Sequence, residues 1–162
     1  MRIVRHVILF GCVLAGMAGC ATEKRHCGEK CAADAKSLYE RLGGEAAVKA
    51  VVNDFVDRAA ANPKVNFTRK GTNKEWQATP ENVQHVKAML VLQIGEASGG
   101  PQKYTGRDMK STHRGMGISG AEFDALAGDL AATLDKYKVA PADKSELLSV
   151  VSSMRGDIVE AR

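Results

Sequence analysis

The chain has 162 residues, of which 44% are hydrophobic and 26% are charged, the composition of one globular domain. Residues 1–19 hold two arginines and no acidic residue, so the remainder has 21 basic and 19 acidic side chains, close to balance. With one tryptophan and no clusters that interleave aromatic and basic residues, the sequence excludes nucleic acid as an expected partner.

Residues 1–19 have the pattern of an export signal, in which a basic end precedes an apolar run. Arg2 and Arg5 come before the run from Val7 to Met17, which is short for a membrane span. The end of this region, Met-Ala-Gly-Cys, resembles the lipobox of bacterial lipoproteins, whose cysteine is acylated and begins the mature chain. We therefore expect an exported lipoprotein that faces the periplasm or the cell exterior, anchored to a membrane by lipid on Cys20. Ordinary cleavage nearby is the alternative.

Residues 20–36 are the predicted lipidated tether, and residues 37–162 are the predicted domain. Cys27 and Cys31 lie in the tether as Cys-Gly-Glu-Lys-Cys, and outside the cytoplasm they can form a disulfide. Covalent haem attachment requires Cys-x-x-Cys-His, and it is excluded because the spacing is one residue longer and Ala32 follows. A metal site of His26 with the two cysteines is a weaker alternative, because the tether is polar and supplies three ligands.

From Ser37 onward the apolar residues recur three and four positions apart, which predicts helices. Ser37 and Glu40 have the spacing of a capping box, which predicts a short helix that stops at Gly43-Gly44. A second helix is predicted from about Glu45 to Ala61.

Residues 64–78 lack this period and are rich in polar side chains, so they predict a loop. Phe67 and Trp76 are the expected buried anchors of that loop. The third predicted helix has Thr79 as its N-cap and Pro80 in its first turn, and it ends before a Gly-Gly-Pro sequence.

The C-terminal part predicts two further helices. Ser119 and Glu122 have the spacing of a capping box for the first of them, and the last helix is predicted from about Ala142 to Glu160. No segment has a strand pattern and no repeat is present. The sequence therefore predicts one all-α domain of about five helices.

Between the third and fourth long helices, the segment Gly106–Ile118 contains His113. Gly106, Gly115 and Gly117 interrupt the helical pattern, so this segment cannot form a long regular helix. A buried imidazole needs partners for its nitrogens, and a metal is one such partner.

Three segments of the sequence are similar to a known protein family. They are SLYERLGGEAAVKAVVNDFVDRAAANP, GGPQKYTGRDMKSTHRGMGI and FDALAGDLAATLDKYKV. They resemble the group I truncated globins over about Ser37 to Ile158. The resemblance implies a truncated globin fold, a 2-on-2 sandwich of helix pairs. It also implies a non-covalent haem b between the third helix and Gly106–Ile118, and a diatomic ligand (oxygen, nitric oxide or carbon monoxide) at the iron.

The resemblance assigns roles to several side chains. His113 matches the proximal iron ligand, and Phe67 matches an aromatic residue that wedges against the porphyrin. The other expected porphyrin neighbours are Met109, Ile118, Phe123 and Leu126, and the expected propionate partners are Tyr104 and Arg114.

On the distal side this sequence departs from the family pattern. Members usually have a Phe-Tyr pair in the second helix, whose tyrosine donates a hydrogen bond to bound oxygen, and here the pair is Phe55-Val56. Counting back from Gly-Gly-Pro, the positions that often carry distal glutamine or leucine fall on Val86 and Leu90. None of Val56, Val86 and Leu90 can donate a hydrogen bond, so tight oxygen storage is not expected.

The resemblance leaves the sixth iron ligand open. Met89 lies where some members have a second axial histidine, so His113 and Met89 could form a pair suited to electron transfer with a redox partner. His85 could reach the iron only from a rotated helix, and Gln84 or Gln93 could supply a donor in another register. An iron whose sixth position is open to a gas could also support oxidation of nitric oxide. That activity would need a reductase, which this chain does not contain.

Overall fold

The computed structural model describes residues 36–160. The predicted export signal, Cys20 and the tether cysteines lie outside the described residues. The helices of the described part are α1 Leu38–Arg41, α2 Gly44–Ala61, α3 Pro80–Ala97, α4 Met109–His113, α5 Gly120–Lys136, α6 Pro141–Ser153 and α7 Arg155–Ile158. No strand occurs in residues 36–160, so the prediction of an all-α fold is confirmed.

The predicted capping residues begin the helices as expected. The Ser37 side chain accepts a hydrogen bond from the Glu40 backbone, and the Ser119 side chain accepts one from the Glu122 backbone. Each glutamate accepts a bond from the N-cap backbone in return, so both capping boxes are complete. The Thr79 side chain caps α3 in the same way. These local bonds satisfy backbone donors that have no partner within a helix.

The long helices form two contacting pairs. Helix α2 packs against α3 and α5, and α5 packs against α6. The short helix α1 lies against α2 and α6, and α4 lies against α7. The buried apolar side chains of these helices are Leu38, Tyr39, Val48, Val51, Val52, Phe55, Val56, Ala59, Ile94, Phe123, Leu130, Leu134 and Leu147. Helix α3 contributes one of them, Ile94, while its Val83, Leu90 and Val91 are partly buried and pack against this core.

The last predicted helix differs from the structure. A single helix from about Ala142 to Glu160 was expected, and the chain forms α6 and α7 with a break at Met154. The Met154 backbone N–H donates to the Val151 carbonyl three residues back, and Val159 is already extended. The final turn therefore separates from the helix and brings Glu160 to the segment that follows His113.

Among residues 36–160, none of the helices combines the length and the apolar content that crossing a bilayer requires.

Candidate functional site

The segment that carries His113 forms a single helical turn. Asp108 caps α4 by accepting a hydrogen bond from the Ser111 backbone at 2.8 Å. The helix ends at Arg114, whose ψ of 125° leaves the helical region. Hydrogen bonding from the backbone and side chain of Ser111 also holds the pKa of Asp108 below its ordinary value. His113 therefore lies at the end of a short, locally capped turn, as the interrupted pattern predicted.

A backbone carbonyl selects the tautomer of the neutral His113 ring. Its Nδ1 lies 2.8 Å from the Met109 carbonyl oxygen. A carbonyl can only accept, so in the neutral ring Nδ1 carries the proton and Nε2 keeps the lone pair. This hydrogen bond also restricts rotation of the ring. The arrangement is the one that prepares a histidine to bind a metal through Nε2.

Two apolar cavities border the His113 ring. One has a volume of about 130 Å³ and the other about 230 Å³. The side chains that line both are Phe55, Leu90, His113, Phe123, Leu126 and Ile158. Because they share these walls, the cavities are adjoining parts of one space between α2, α3, α4 and α5.

The structure brings most of the predicted site residues to this space. Met109 lines the smaller cavity, and Leu90, Phe123 and Leu126 line both. The remaining predicted residues of the larger cavity are Val56, Phe67, Val86 and Ile118. Val56, Val86 and Leu90 thus lie together, as the count from the Gly-Gly-Pro sequence predicted.

Three predicted site residues do not line either cavity. Met89 is half-buried, and its methyl group lies so close to Gly106 that a Cβ there would come within 2.8 Å of it. The Tyr104 hydroxyl donates to the Arg107 carbonyl at 3.1 Å. Arg114 is exposed.

The other side chains considered as ligands or hydrogen-bond donors at the iron, His85, Gln84 and Gln93, do not lie beside Val56 and Val86 in the larger cavity. His85 and Gln84 are exposed on α3. Gln93 lines the smaller cavity, where its amide nitrogen lies 3.0 Å from the sulfur of Met109 and 3.4 Å from that of Met154. This amide is therefore directed toward the two thioethers.

The loop after α2 closes the larger cavity with two aromatic rings. Phe67 and Trp76 meet edge to face, with centroids 5.2 Å apart and an interplanar angle of 62°. The Trp76 indole N–H donates to the Phe67 carbonyl at 2.8 Å. Both residues are half-buried, whereas the sequence predicts buried anchors, and the indole donor is already engaged.

Arg69, which the sequence interpretation missed, connects this loop to the segment after His113. It is 5% exposed, and it donates to the Met116 carbonyl at 3.0 Å and the Gly117 carbonyl at 3.2 Å. It also pairs with Glu122 at 2.9 Å. No sequence signal marked it, because it is one of several basic residues in a polar loop.

Glu122 is both a capping residue and the partner of Arg69. Burial raises the pKa of its carboxyl, but hydrogen bonds from Ser119 and the pairing with Arg69 outweigh burial and bring the pKa below its ordinary value. The carboxylate is therefore the stable form in the folded protein.

An imidazole that lines a mostly apolar space between helices, with its Nδ1 held by a backbone carbonyl, is the arrangement of a haem pocket. A family model described as bacterial-like globin matches residues 37–160. A group 1 truncated hemoglobin from Tetrahymena pyriformis is 33% identical over 124 residues, which cover 76% of this chain and 95% of the relative. One from Synechocystis sp. (strain ATCC 27184 / PCC 6803 / Kazusa) is 34% identical, covering 74% of this chain and 90% of the relative.

Solved structures agree with this match. The Fe(III) form of the Tetrahymena pyriformis truncated hemoglobin has a TM-score of 0.67 at 31% identity, covering 78% of this chain and all of that one. The 2/2 hemoglobin of Synechococcus sp. PCC 7002, solved in the cyanomet state with covalently attached heme, has a TM-score of 0.61 at 30% identity, covering 76% and 98%. The chain belongs to the bacterial-like globin family, with group 1 truncated hemoglobins as relatives. It is a haem-binding globin.

Proposed function

We propose that His113 is the proximal ligand of a non-covalent haem b and that a diatomic gas binds on the opposite face, beside Val56, Val86 and Leu90. The observation that carries this proposal is the contact between His113 Nδ1 and the Met109 carbonyl, in a residue that lines both apolar cavities. Globins bind diatomic gases at haem, and the proposal assigns that property to particular residues of this chain.

The chemistry of the cavity walls fits the cofactor. A bound haem supplies an iron with one position for His113 and one for an external ligand. Phe123, Leu126 and Ile118 offer hydrocarbon to the flat macrocycle, and Phe67 is expected to pack against its edge. The described walls contain His113 as their one histidine and no cysteine, which supports non-covalent binding.

The distal wall is expected to bind oxygen without a strong hydrogen bond. Val56, Val86 and Leu90 have no donors, and the Trp76 indole N–H is engaged by the Phe67 carbonyl. The Arg69 guanidinium is engaged by Met116, Gly117 and Glu122. A missing charge-assisted hydrogen bond costs about 1.5–3 kcal/mol, roughly ten- to a hundredfold in affinity. The pocket thus favours ligands that need no donor, such as carbon monoxide, over retention of oxygen.

The test is optical spectroscopy of the full chain purified with haem, in ferric, ferrous and carbon monoxide-treated forms. We expect one haem per chain in the wild type, and in His113→Gly we expect loss of the histidine-ligated spectrum and its return on addition of free imidazole. Met89→Leu is the matched control and is expected to leave every spectrum unchanged. An unchanged His113→Gly spectrum would refute the proximal assignment. Low-spin bands that vanish in Met89→Leu would move the function to electron transfer.

The proposed location is a membrane surface outside the cytoplasm. The basic end, apolar run and Met-Ala-Gly-Cys sequence of residues 1–20 support export and lipidation at Cys20. The family match begins at residue 37, so residues 20–36 have the length to act as a tether between the lipid and the globin domain. Two or more acyl chains are needed for stable anchoring.

A further inference from the structure

The residues that follow α7 turn back and bind the segment next to His113. The Glu160 carboxylate accepts hydrogen bonds from the Gly115 backbone at 2.6 Å and from the Gly117 backbone at 2.5 Å. The Glu160 backbone N–H in turn donates to the Ile118 carbonyl at 2.9 Å. One residue thus holds three positions of the chain immediately after the proposed iron ligand.

The two glycines make this contact possible. Gly115 has a φ of 77° and Gly117 a φ of 59°, in the left-handed region that side chains rarely adopt. In this conformation the two amide groups donate to the two oxygens of one carboxylate, and backbone N–H groups bind anions in a similar way elsewhere. The glycines that interrupt the helical pattern around His113 therefore present donors to a specific carboxylate.

A second charged residue holds the same segment from the loop after α2. Arg69 binds the Met116 and Gly117 carbonyls, while Glu160 binds the Gly115 and Gly117 amides. Hydrogen bonds from Gly115 and Gly117, with the positive charges of Arg69 and Arg114, hold the pKa of Glu160 below its ordinary value. The Glu160 carboxylate therefore stays charged near neutral pH, where its two hydrogen bonds are strongest.

The contact also continues to the haem-binding space. Ile158, two residues before Glu160, lines both cavities that border the His113 ring. The Met116 backbone N–H donates to the His113 carbonyl at 3.0 Å, so displacement of the glycine segment would move the histidine backbone. The segment that Glu160 binds is thus hydrogen-bonded to the His113 backbone, and Ile158, close to Glu160 in the chain, forms part of the pocket wall.

We propose that Glu160 is a positioning residue that sets the orientation of His113 toward the iron and slows haem loss. This proposal rests on the proposed role of His113. Glu160 is not among the side chains that line the two cavities, and it acts through the backbone of Gly115 and Gly117.

The test compares full-chain Glu160→Gln with the wild type. Glutamine keeps the shape of the side chain, but its amide nitrogen is a donor. It would face one of the two backbone N–H groups of Gly115 and Gly117, so one of the two hydrogen bonds is lost. Asp157→Asn is the matched control, because it removes one exposed carboxylate from α7, three residues before Glu160. Both variants are expected to keep the helical circular dichroism spectrum of the wild type.

Three readouts distinguish positioning from a general effect on stability. In Glu160→Gln we expect a shifted iron–histidine stretching band in the resonance Raman spectrum of the ferrous protein. We also expect about tenfold faster haem transfer to a high-affinity acceptor, since one charge-assisted hydrogen bond corresponds to roughly that factor. Hydrogen exchange of the haem-free full chain should accelerate in the peptide that covers residues 113–118. Asp157→Asn should match the wild type in all three.

The outcomes separate failure of this proposal from failure of the proposed function. If Glu160→Gln matches the wild type in band position and haem transfer, the positioning role is wrong while His113 remains the ligand. If the variants differ only in thermal stability, Glu160 is structural and the proposal is also wrong. Absence of an iron–histidine band from the wild type would instead refute the assignment of His113, and with it the role of Glu160.

Discussion

A single hydrogen bond decides the chemistry available to His113. Because the Met109 carbonyl accepts from Nδ1, the ring presents Nε2 as a Lewis base, and no carboxylate partner is needed to select this tautomer. A carbonyl partner carries no full charge, so it makes the imidazole a weaker electron donor than a carboxylate partner would. At the scale of the residue, the Met109 carbonyl therefore predicts a moderately donating imidazole at the iron.

Substitution of Val56 tests whether the distal wall lacks a hydrogen-bond donor for bound oxygen. The Val56 side chain is 1% exposed and lines the larger cavity, at the position where the resemblance to truncated globins implies a tyrosine. We expect Val56→Tyr to slow oxygen dissociation by roughly ten- to a hundredfold relative to Val56→Phe, because the added hydroxyl can donate to bound oxygen. Stopped-flow replacement of oxygen by carbon monoxide measures this rate.

Val56→Phe is the control for the change in volume, because it adds the same ring without a donor. Equal oxygen dissociation rates in the two variants would contradict the prediction, since they would place position 56 out of reach of the ligand.

At the scale of elements, the start of α5 combines a local cap with a long-range ion pair. Ser119 and Glu122 complete a capping box, and the same Glu122 carboxylate pairs with buried Arg69 from the loop after α2. Breaking a buried pair is costly because the remaining charge loses its partner. The first turn of α5 therefore also fixes the loop that carries Phe67 and closes the larger cavity.

The lowered pKa of Glu122 predicts how acid destabilises this element. A carboxyl whose pKa is lower in the folded state contributes stability above its unfolded pKa and loses it as the pH falls toward the folded value. We expect Glu122→Gln to lower the free energy of unfolding by about 1–3 kcal/mol at neutral pH. This difference from the wild type should shrink as the pH falls below 4.5, the ordinary value for a glutamate. Urea unfolding at several pH values measures it.

Glu45→Gln provides the comparison, because Glu45 makes an exposed ion pair with Lys49 on α2. Such pairs contribute at most about 1 kcal/mol, so this variant should stay close to the wild type. A Glu122→Gln deficit that persists undiminished at acid pH would show that its cause is not the charge.

At the scale of the whole molecule, we propose separate roles for the described domain and for the residues before it. The family match covers residues 37–160, and the globin core and its pocket lie within that range. The open space beside α3 and α4 interrupts the core, and a bound haem would fill it with apolar contacts. Haem is therefore expected to stabilise the fold by an amount that grows with the ratio of its free concentration to its dissociation constant.

Substitution of Cys20 tests the proposal that the protein is anchored to a membrane by lipid. We expect the full chain, expressed in a Gram-negative bacterium, to occur in the membrane fraction with an acylated N-terminus. Cys20→Ala should lose the acyl mass and leave that fraction, because the acyl chains supply the membrane affinity. Cell fractionation and intact-mass spectrometry measure both properties.

Cys12→Ala is the matched control, because Cys12 lies within the apolar run that cleavage at Cys20 would remove. It should behave as the wild type does. If both variants fractionate identically to the wild type and no acyl mass is present, lipidation at Cys20 is wrong.

The sequence by itself determined the helical class, the starts of the helices and the short turn that carries His113. These features depend on residues within one turn of each other, such as Ser119 with Glu122 or Thr79 with the first turn of α3. The resemblance to truncated globins also supplied the register that brings Val56, Val86 and Leu90 to one cavity.

Only the tertiary structure decided which residues hold the site together. Arg69 meets Glu122 across 53 positions, and Glu160 meets Gly115 across 45 positions, separations that no local pattern can encode. The break at Met154 and the direction of Met89 toward Gly106 likewise depend on how the helices pack. Local spacing determines helices because their hydrogen bonds are local, whereas the surroundings of His113 depend on contacts between distant parts of the chain.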